Sequence, residues 1–221
     1  QADWADAKII MDDGREIWAD EDRQSFLTPA MPFSFVYDGR PSVDLLTSWK
    51  GSAETREEPG RVVHTVCWTD PKTGLRVSAV VTAFKRYGAV EWLLHFENTG
   101  TQDTPIIENI HALDVQLRTG YYRKPVVLHH LTGDVCGERS FLPLEATLEA
   151  GEPVVVRPTG GRPSNGAFPF FDLQYGDEGL IAAIGWSGQW SARLERANTG
   201  PTRWQAGMEK THFRLHPGER V

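Results

Sequence analysis

The sequence predicts an all-β chain, one large antiparallel β-sandwich forming a single domain over residues 1–221. Three observations predict it. From Val62 onward apolar residues recur with period two, the repeat of a strand with one buried face. Turn chemistry interrupts that repeat at short intervals, with 21 glycines and 14 prolines in 221 residues. No segment carries the stripe of a long amphipathic helix, so helices longer than about three turns are not expected.

The elements follow in order. Through about residue 60 the sequence is mixed and acidic, with Asp12-Asp13, Asp20-Glu21-Asp22 and Glu57-Glu58 in polar surroundings. Paired carboxylates serve glycosidase chemistry, but runs of this kind read first as solvated loops. Val62, His64, Val66 and Trp68 then alternate with the opposite face, and Asp70-Pro71-Lys72-Thr73-Gly74 turns the chain. Leu75, Val77, Ala79, Val81 and Ala83 continue the period, and Arg86-Tyr87-Gly88 turns it again. Val90, Trp92, Leu94 and Phe96 line the next strand, which Asn98-Thr99-Gly100 closes. Together these make a meander of three antiparallel strands.

Residues 106–118 fit two periods. Ile106, Ile110, Leu113 and Leu117 form a helical stripe, whereas Ile107, His111, Leu113, Val115 and Leu117 nearly form a strand face. The β-branched content favours strand, and a long helix here would overturn the fold class. Further on, Leu142, Leu144, Ala146 and Leu148 alternate, Glu149-Ala150-Gly151-Glu152 turns, and Val154-Val155-Val156 begins another strand. Leu180, Ala182, Ile184 and Trp186 run into Ser187-Gly188, after which Trp190, Ala192 and Leu194 resume the alternation.

Charge and composition exclude several functions. Lys plus Arg is 23 against 30 Asp plus Glu, a formal net charge of -7. A net negative body is not drawn to nucleic acid or to an anionic membrane surface. The longest apolar runs, such as Leu180 to Trp186, are too short to span a bilayer. Two cysteines, Cys67 and Cys136, exclude a disulfide scaffold and leave one bridge open. The opening Gln1-Ala2-Asp3-Trp4 has no basic-then-apolar leader pattern and points to a processed or trimmed N-terminus, compatible with a cytoplasmic or an exported protein.

Most chemistry-bearing motifs fail. Gly185-Trp186-Ser187-Gly188-Gln189 lacks the glycine that a nucleophile elbow needs two residues after its serine. There is no His-Glu-x-x-His, no paired Cys-x-x-Cys and no Walker-type loop, so no metal and no nucleotide or other cofactor is expected. His129-His130 with Cys136 makes a poor metal set, because adjacent strand residues point to opposite faces. What remains is aromatic and polar material in the last third. Asn165-Gly166-Ala167-Phe168-Pro169-Phe170-Phe171-Asp172 joins a tight turn to three phenylalanines, and Gly185-Trp186-Ser187-Gly188-Gln189-Trp190 sets two indoles across small residues. Sugar rings offer apolar C–H faces with hydroxyl rims, which suit an indole beside amide and carboxylate groups. The competing reading packs both indoles inward.

The C-terminal half resembles the N-terminal β-domain of glycoside hydrolase family 36, the α-galactosidase and raffinose-processing group. Leu131-Thr132-Gly133 followed by Glu138-Arg139 is similar to that family's Leu-x-Gly … Glu-Arg segment, and Leu148 to Gly151 to its Leu-x-x-Gly turn. Gly160-Gly161-Arg162-Pro163-Ser164-Asn165 through Phe168-Pro169-Phe170-Phe171 resembles its Arg-Gly-x-Ser-Ser-His … Asn-Pro-x-Phe element, with Pro163-Ser164-Asn165 and Phe168-Pro169 as departures. Gly185-Trp186-Ser187-Gly188-Gln189-Trp190 resembles its Trp-Ser-Gly-Asn-Trp hairpin, and Leu215-His216-Pro217-Gly218-Glu219 its Leu-x-Pro-Gly-Glu.

The resemblance implies a β-supersandwich that packs on a (β/α)₈ catalytic barrel of the same polypeptide, expected to begin after Val221. The barrel carries the two aspartates of a retaining mechanism, so no catalytic residue is expected in this chain and the chain alone should be inactive. It further implies that the β-domain supplies a wall of the pocket for an α-galactoside-like carbohydrate, and contacts for homo-oligomers. Trp190, Trp186, Gln189 and Asn165 are the substrate-binding candidates. Trp186 and Trp190 share one parity, but a turn or bulge at Ser187-Gly188 would send them to opposite sides. The alternation from Leu180 assigns Trp186 to the core and leaves Trp190 facing sugar. Two other functions stay in view: a free-standing carbohydrate-binding sandwich with an exposed aromatic platform, and a structural or oligomerisation domain with every tryptophan in its core.

Overall fold

The computed structural model describes residues 31–117, 119, 125–176, 179–198 and 201–221, with the backbone of 8–10, 16–18 and 178. Asp12-Asp13 and Asp20-Glu21-Asp22 lie outside the described residues.

Strands dominate. In chain order they are β1 (Lys8–Ile10), β2 (Glu16–Trp18), β3 (Ser34–Tyr37), β4 (Arg40–Pro41), β5 (Lys50–Glu58), β6 (Arg61–Thr69), β7 (Leu75–Phe84), β8 (Ala89–Asn98) and β9 (Ile107–His111). There follow β10 (Leu113–Leu117), β11 (Val126–Leu131), β12 (Pro143–Thr147), β13 (Val154–Val156), β14 (Phe170–Tyr175), β15 (Glu178–Ala183), β16 (Trp190–Arg196), β17 (Thr202–Met208) and β18 (His212–Phe213). The α-helix among the described residues is α1 (Ser42–Leu46), a single short turn led in by Pro41. The fold is all-β, as the period-two pattern predicts. Within the described part of the segment that fits two periods, Ile107–His111 and Leu113–Leu117 form β9 and β10, so the strand period prevails there.

The chain clusters into two compact units and passes between them within β3, β9 and β18. The first comprises, among the described residues, 31, 37–107 and 213–221 with the backbone of 8–10 and 16–18. Its main sheet has the order β5-β6-β7-β8, a meander in which each strand pairs with the next. Val66, Trp68, Leu75, Val77, Ala79, Val81 and Phe96 are buried, the parity that the sequence marks as the inner face. β5 is a strand where the sequence reads a polar loop. It is an edge strand exposed at every position before Glu58, so no buried face imposes a period on Lys50 to Glu57.

The C-terminal segment closes this unit. Val221 exchanges both backbone hydrogen bonds with Phe96, at 2.9 Å each, and the Asn98 N–H donates to the Glu219 carbonyl at 2.9 Å. Buried Asn98 also donates its amide to the carbonyls of Gln102 (2.7 Å) and Leu215 (2.9 Å). Gly218, at φ 82°, adopts the left-handed turn that Pro217-Gly218-Glu219 needs.

The second unit comprises the described residues within 32–36 and 108–212 and is a sandwich. One sheet has the order β10-β17-β16-β13 and the other β12-β11-β14-β15, all pairs antiparallel. Val126, Leu128, Phe171 and Leu173 of one sheet share a core with Val156, Trp190, Ala192, Leu194, Trp204 and Ala206 of the other. Alternate residues of two facing sheets make such a core without any cross-link. Both cysteines are free thiols.

Candidate functional site

Three segments of the second unit converge at one end of its sheets: residues 131–142, 157–169 and 184–190. The first two cross at Gly133. A Cβ there would fall far inside contact with the Ser164 carbonyl oxygen and 2.7 Å from the Ala167 N–H nitrogen, so no side chain fits. The crossing is tied by backbone bonds from Asp134 N–H to the Ser164 carbonyl (2.7 Å) and from Phe168 N–H to the Leu131 carbonyl (3.1 Å). Asp134 shapes the turn that follows, its carboxylate accepting from Cys136 N–H and from the Ser140 hydroxyl, each at 2.8 Å. The Cys136 N–H, then the Ser140 hydroxyl, hold this carboxyl below its ordinary pKa.

Three of the four sequence-chosen residues brace one stretch, Pro158 to Asn165. The Asn165 amide donates to the Thr159 carbonyl (2.9 Å) and its hydroxyl (3.1 Å), while Thr159 N–H donates back to the Asn165 carbonyl (2.8 Å). Gln189 uses both ends of its amide: Nε2 donates to the Pro158 carbonyl at 2.6 Å and Oε1 accepts from Gly161 N–H at 2.9 Å. The Trp190 indole N–H donates to the Pro163 carbonyl at 2.7 Å, and its ring meets Phe171 edge-on at 5.7 Å. The segments that carry the sequence-chosen residues meet in the fold, and most of the polar atoms chosen are engaged within the protein.

The assignment of the two indoles is reversed. Trp190 is fully buried at 0% exposure and Trp186 is 46% exposed. The alternation through Leu180, Ala182 and Ile184 does not reach Trp186, because β15 ends at Ala183 opposite Phe170 and its last link is Ile184 N–H to the Pro169 carbonyl. The chain then leaves the sheet, and β16 begins at Trp190 with its own inward parity of Trp190, Ala192 and Leu194. Trp186 folds back over Gly188, where a Cβ would stand 2.8 Å from the indole Nε1 and 3.3 Å from Cε2. Ser187 is followed by a strand, which an elbow-type nucleophile does not precede.

Beside this hairpin stands an aromatic cluster that sequence reasoning only half identified. Phe168 stacks on Phe170 with centroids 5.1 Å apart and planes at 17°, and Phe141 meets Phe168 edge-on at 5.4 Å. Phe170 and Phe141 are each about half exposed. The 165–172 segment singled out two of these rings; Phe141 sits alone in a polar loop and no local pattern marks it. His129 and His130 take opposite faces of β11, His130 paired in register with inward Phe171 and His129 with outward Asp172. Among the described residues no group of three His, Cys, Asp or Glu is placed to hold a metal ion.

Comparison with known proteins agrees with this architecture. The family model of the glycosyl hydrolase family 36 N-terminal domain matches residues 3–216. Among solved structures, the GH36 α-galactosidase AgaA from Geobacillus stearothermophilus is 17% identical with a TM-score of 0.63, covering 86% of this chain and 28% of its own. The galactosidase domain of the α-galactosidase–sucrose kinase AgaSK is 16% identical with a TM-score of 0.64 at the same coverages, 86% and 28%. An AgaA variant in complex with raffinose is 19% identical with a TM-score of 0.59, covering 98% of this chain and 28% of its own. The chain therefore spans a little over a quarter of the length of these relatives. No curated protein matches it in sequence.

Proposed function

The chain belongs to glycoside hydrolase family 36, as the N-terminal domain of that family, and from this premise we propose that it is the non-catalytic β-domain of an α-galactosidase-like retaining enzyme. In this function the whole chain, residues 1–221, packs on a catalytic barrel of the same polypeptide. Its tryptophan hairpin forms one wall of the pocket for an α-galactoside. The observation that carries the proposal is Trp186, a large apolar ring left exposed on a segment that is otherwise tied down. An exposed indole held over Gly188 offers a flat face to the C–H side of a sugar at little cost in side-chain freedom.

The remaining residues have supporting roles. Gln189 and Trp190 fix the base of the hairpin against Pro158, Gly161 and Pro163, and Asn165 fixes the far end of the same segment. They position the wall, and Trp186 touches the sugar. Chemistry falls to two carboxyl groups of the barrel, which a retaining mechanism holds about 5–5.5 Å apart across the scissile bond.

Two measurements test this. The isolated chain, incubated with an aryl α-galactoside, should release no more product than buffer; turnover by the chain itself would refute the division of labour. In the full-length enzyme Trp186→Ala should lower kcat/KM about tenfold, or roughly 1.4 kcal/mol, mostly through KM, with an unchanged melting temperature. A variant with wild-type kcat/KM removes the hairpin from the pocket.

A further inference from the structure

The outer face of the sheet β12-β11-β14-β15 carries a second feature. Leu128, Phe171 and Leu173 point into the sandwich core, so by strand alternation Phe170, Asp172 and Gln174 of β14 point outward. Across the strands, Glu145, His129, Asp172 and Ile181 stand in one register row. The His129 ring links two of the outward groups, with Nδ1 3.2 Å from Glu145 Oε1 and Nε2 3.3 Å from Gln174 Oε1. The Asp172 carboxylate lies beside Gly179, where a Cβ would come within 3.3 Å of Oδ1.

The geometry points to this face as a second saccharide-binding platform, with the Phe170 ring stacking one pyranose of an oligosaccharide, Asp172 bonding its hydroxyls, and the Gln174 amide, braced by His129, meeting the neighbouring sugar unit. Phe170 is half exposed and is backed by Phe168, which Phe141 supports edge-on. Phe141 is held at φ 58°, a conformation L residues rarely adopt, by the turn built on Asp134 and Ser140. The ring is thus fixed before any ligand arrives, and stacking on it orders little that is not ordered already. The polar groups decide the chemical class of the occupant. An apolar protein surface docking on Phe170 would have to strip water from Asp172 and Glu145 without replacing it. Sugar hydroxyls replace that water, accepting from the Gln174 amide nitrogen and donating to the Asp172 carboxylate, while the C–H face covers the ring.

This inference rests on the carbohydrate setting of the proposed function, yet it concerns different atoms, and the test separates them. The chain is run on native gels with and without a soluble polysaccharide bearing α-galactosyl side groups. Wild type should be retarded, Trp186→Ala should be retarded equally, and Phe170→Ala should lose at least tenfold in apparent affinity while melting like wild type. Asp172→Asn should weaken retardation without changing the melt, which a merely structural ring would not produce. Equal retardation of Phe170→Ala and wild type overturns the inference, as does a wild type that is not retarded. Loss with Trp186→Ala alone also overturns it, and leaves the hairpin as the sugar contact.

Discussion

The meander of the first unit and the sandwich of the second use the same antiparallel pairing but differ in what the pairing buries. In the meander, β5 is exposed along its length up to Glu58, and β6 buries only Val66 and Trp68, near the Asp70–Gly74 turn. In the sandwich, alternate residues of β14 and β16 are buried, and Trp190, Ala192 and Leu194 reach 0% exposure. A ladder hydrogen bond contributes a net of about 1 kcal/mol, whereas a buried large side chain contributes roughly 1.5–3 kcal/mol. Pairing suffices to make a strand; burial on a facing sheet makes an anchor.

The largest expected effect lies at the anchor. Trp190→Ala should cost about 3–5 kcal/mol by opening a cavity, and it strands the Pro163 carbonyl as well. Trp186→Ala should stay within about 0.5 kcal/mol of wild type, because its ring leaves no cavity. Chemical denaturation of the two variants gives both numbers, and a Trp186→Ala protein that unfolds first would abolish the distinction between the hairpin's two indoles.

An intermediate effect is expected in the polar network of the second unit. Burial alone would raise the Asp114 carboxyl, but the Arg203 fork (2.8 Å to each oxygen), the Ser34 hydroxyl (2.6 Å) and the Gln205 amide (3.2 Å) outweigh it and hold its pKa below the ordinary carboxylate value. A carboxyl depressed in the folded state stabilises fully above its unfolded pKa, and that contribution is lost as pH falls through the folded pKa. Asp114→Asn should therefore cost roughly 1–3 kcal/mol at neutral pH. Its deficit should shrink as both proteins are acidified below the ordinary carboxylate range. A deficit that is constant with pH would mean that packing, and not charge, carries Asp114. Burial, against the pull of the Asp114 carboxylate, pushes the pKa of His111 in the same network down.

The smallest effect is expected at the wet edge of the meander. Thr55→Ala in β5 removes an exposed contact with His64 Nδ1 at 3.0 Å and should move stability by no more than about 0.5 kcal/mol. A loss comparable to that at Asp114, read on the same denaturation curves, would show that β5 is covered in solution.

Legibility followed the same division. The three strands from Val62 to Asn98 could be read because apolar residues alternate along each, on a face buried along most of β7 and at the ends of β6 and β8 near the Asp70–Gly74 turn, and β9 and β10 because β-branched residues outweighed the helical stripe. β5 could not, since exposed residues on both faces leave period two without meaning. Gly133 is a motif position in sequence and a physical necessity in structure, where the Ser164 carbonyl occupies the room of a side chain. Phe141 went unseen because its partners Phe168 and Phe170 are distant in sequence.

By itself the sequence determined the strand class, the segments that meet at the hairpin end and the family to which they belong, because period, turn residues and motif order are local properties. Only the tertiary structure decided which indole faces out. Parity carries a side chain's direction just as far as the ladder runs, and the ladder between β14 and β15 stops at Phe170 and Ala183. Beyond that point direction depends on where the next sheet begins, and β16, packed on Phe171, takes Trp190 into the core and leaves Trp186 in solvent.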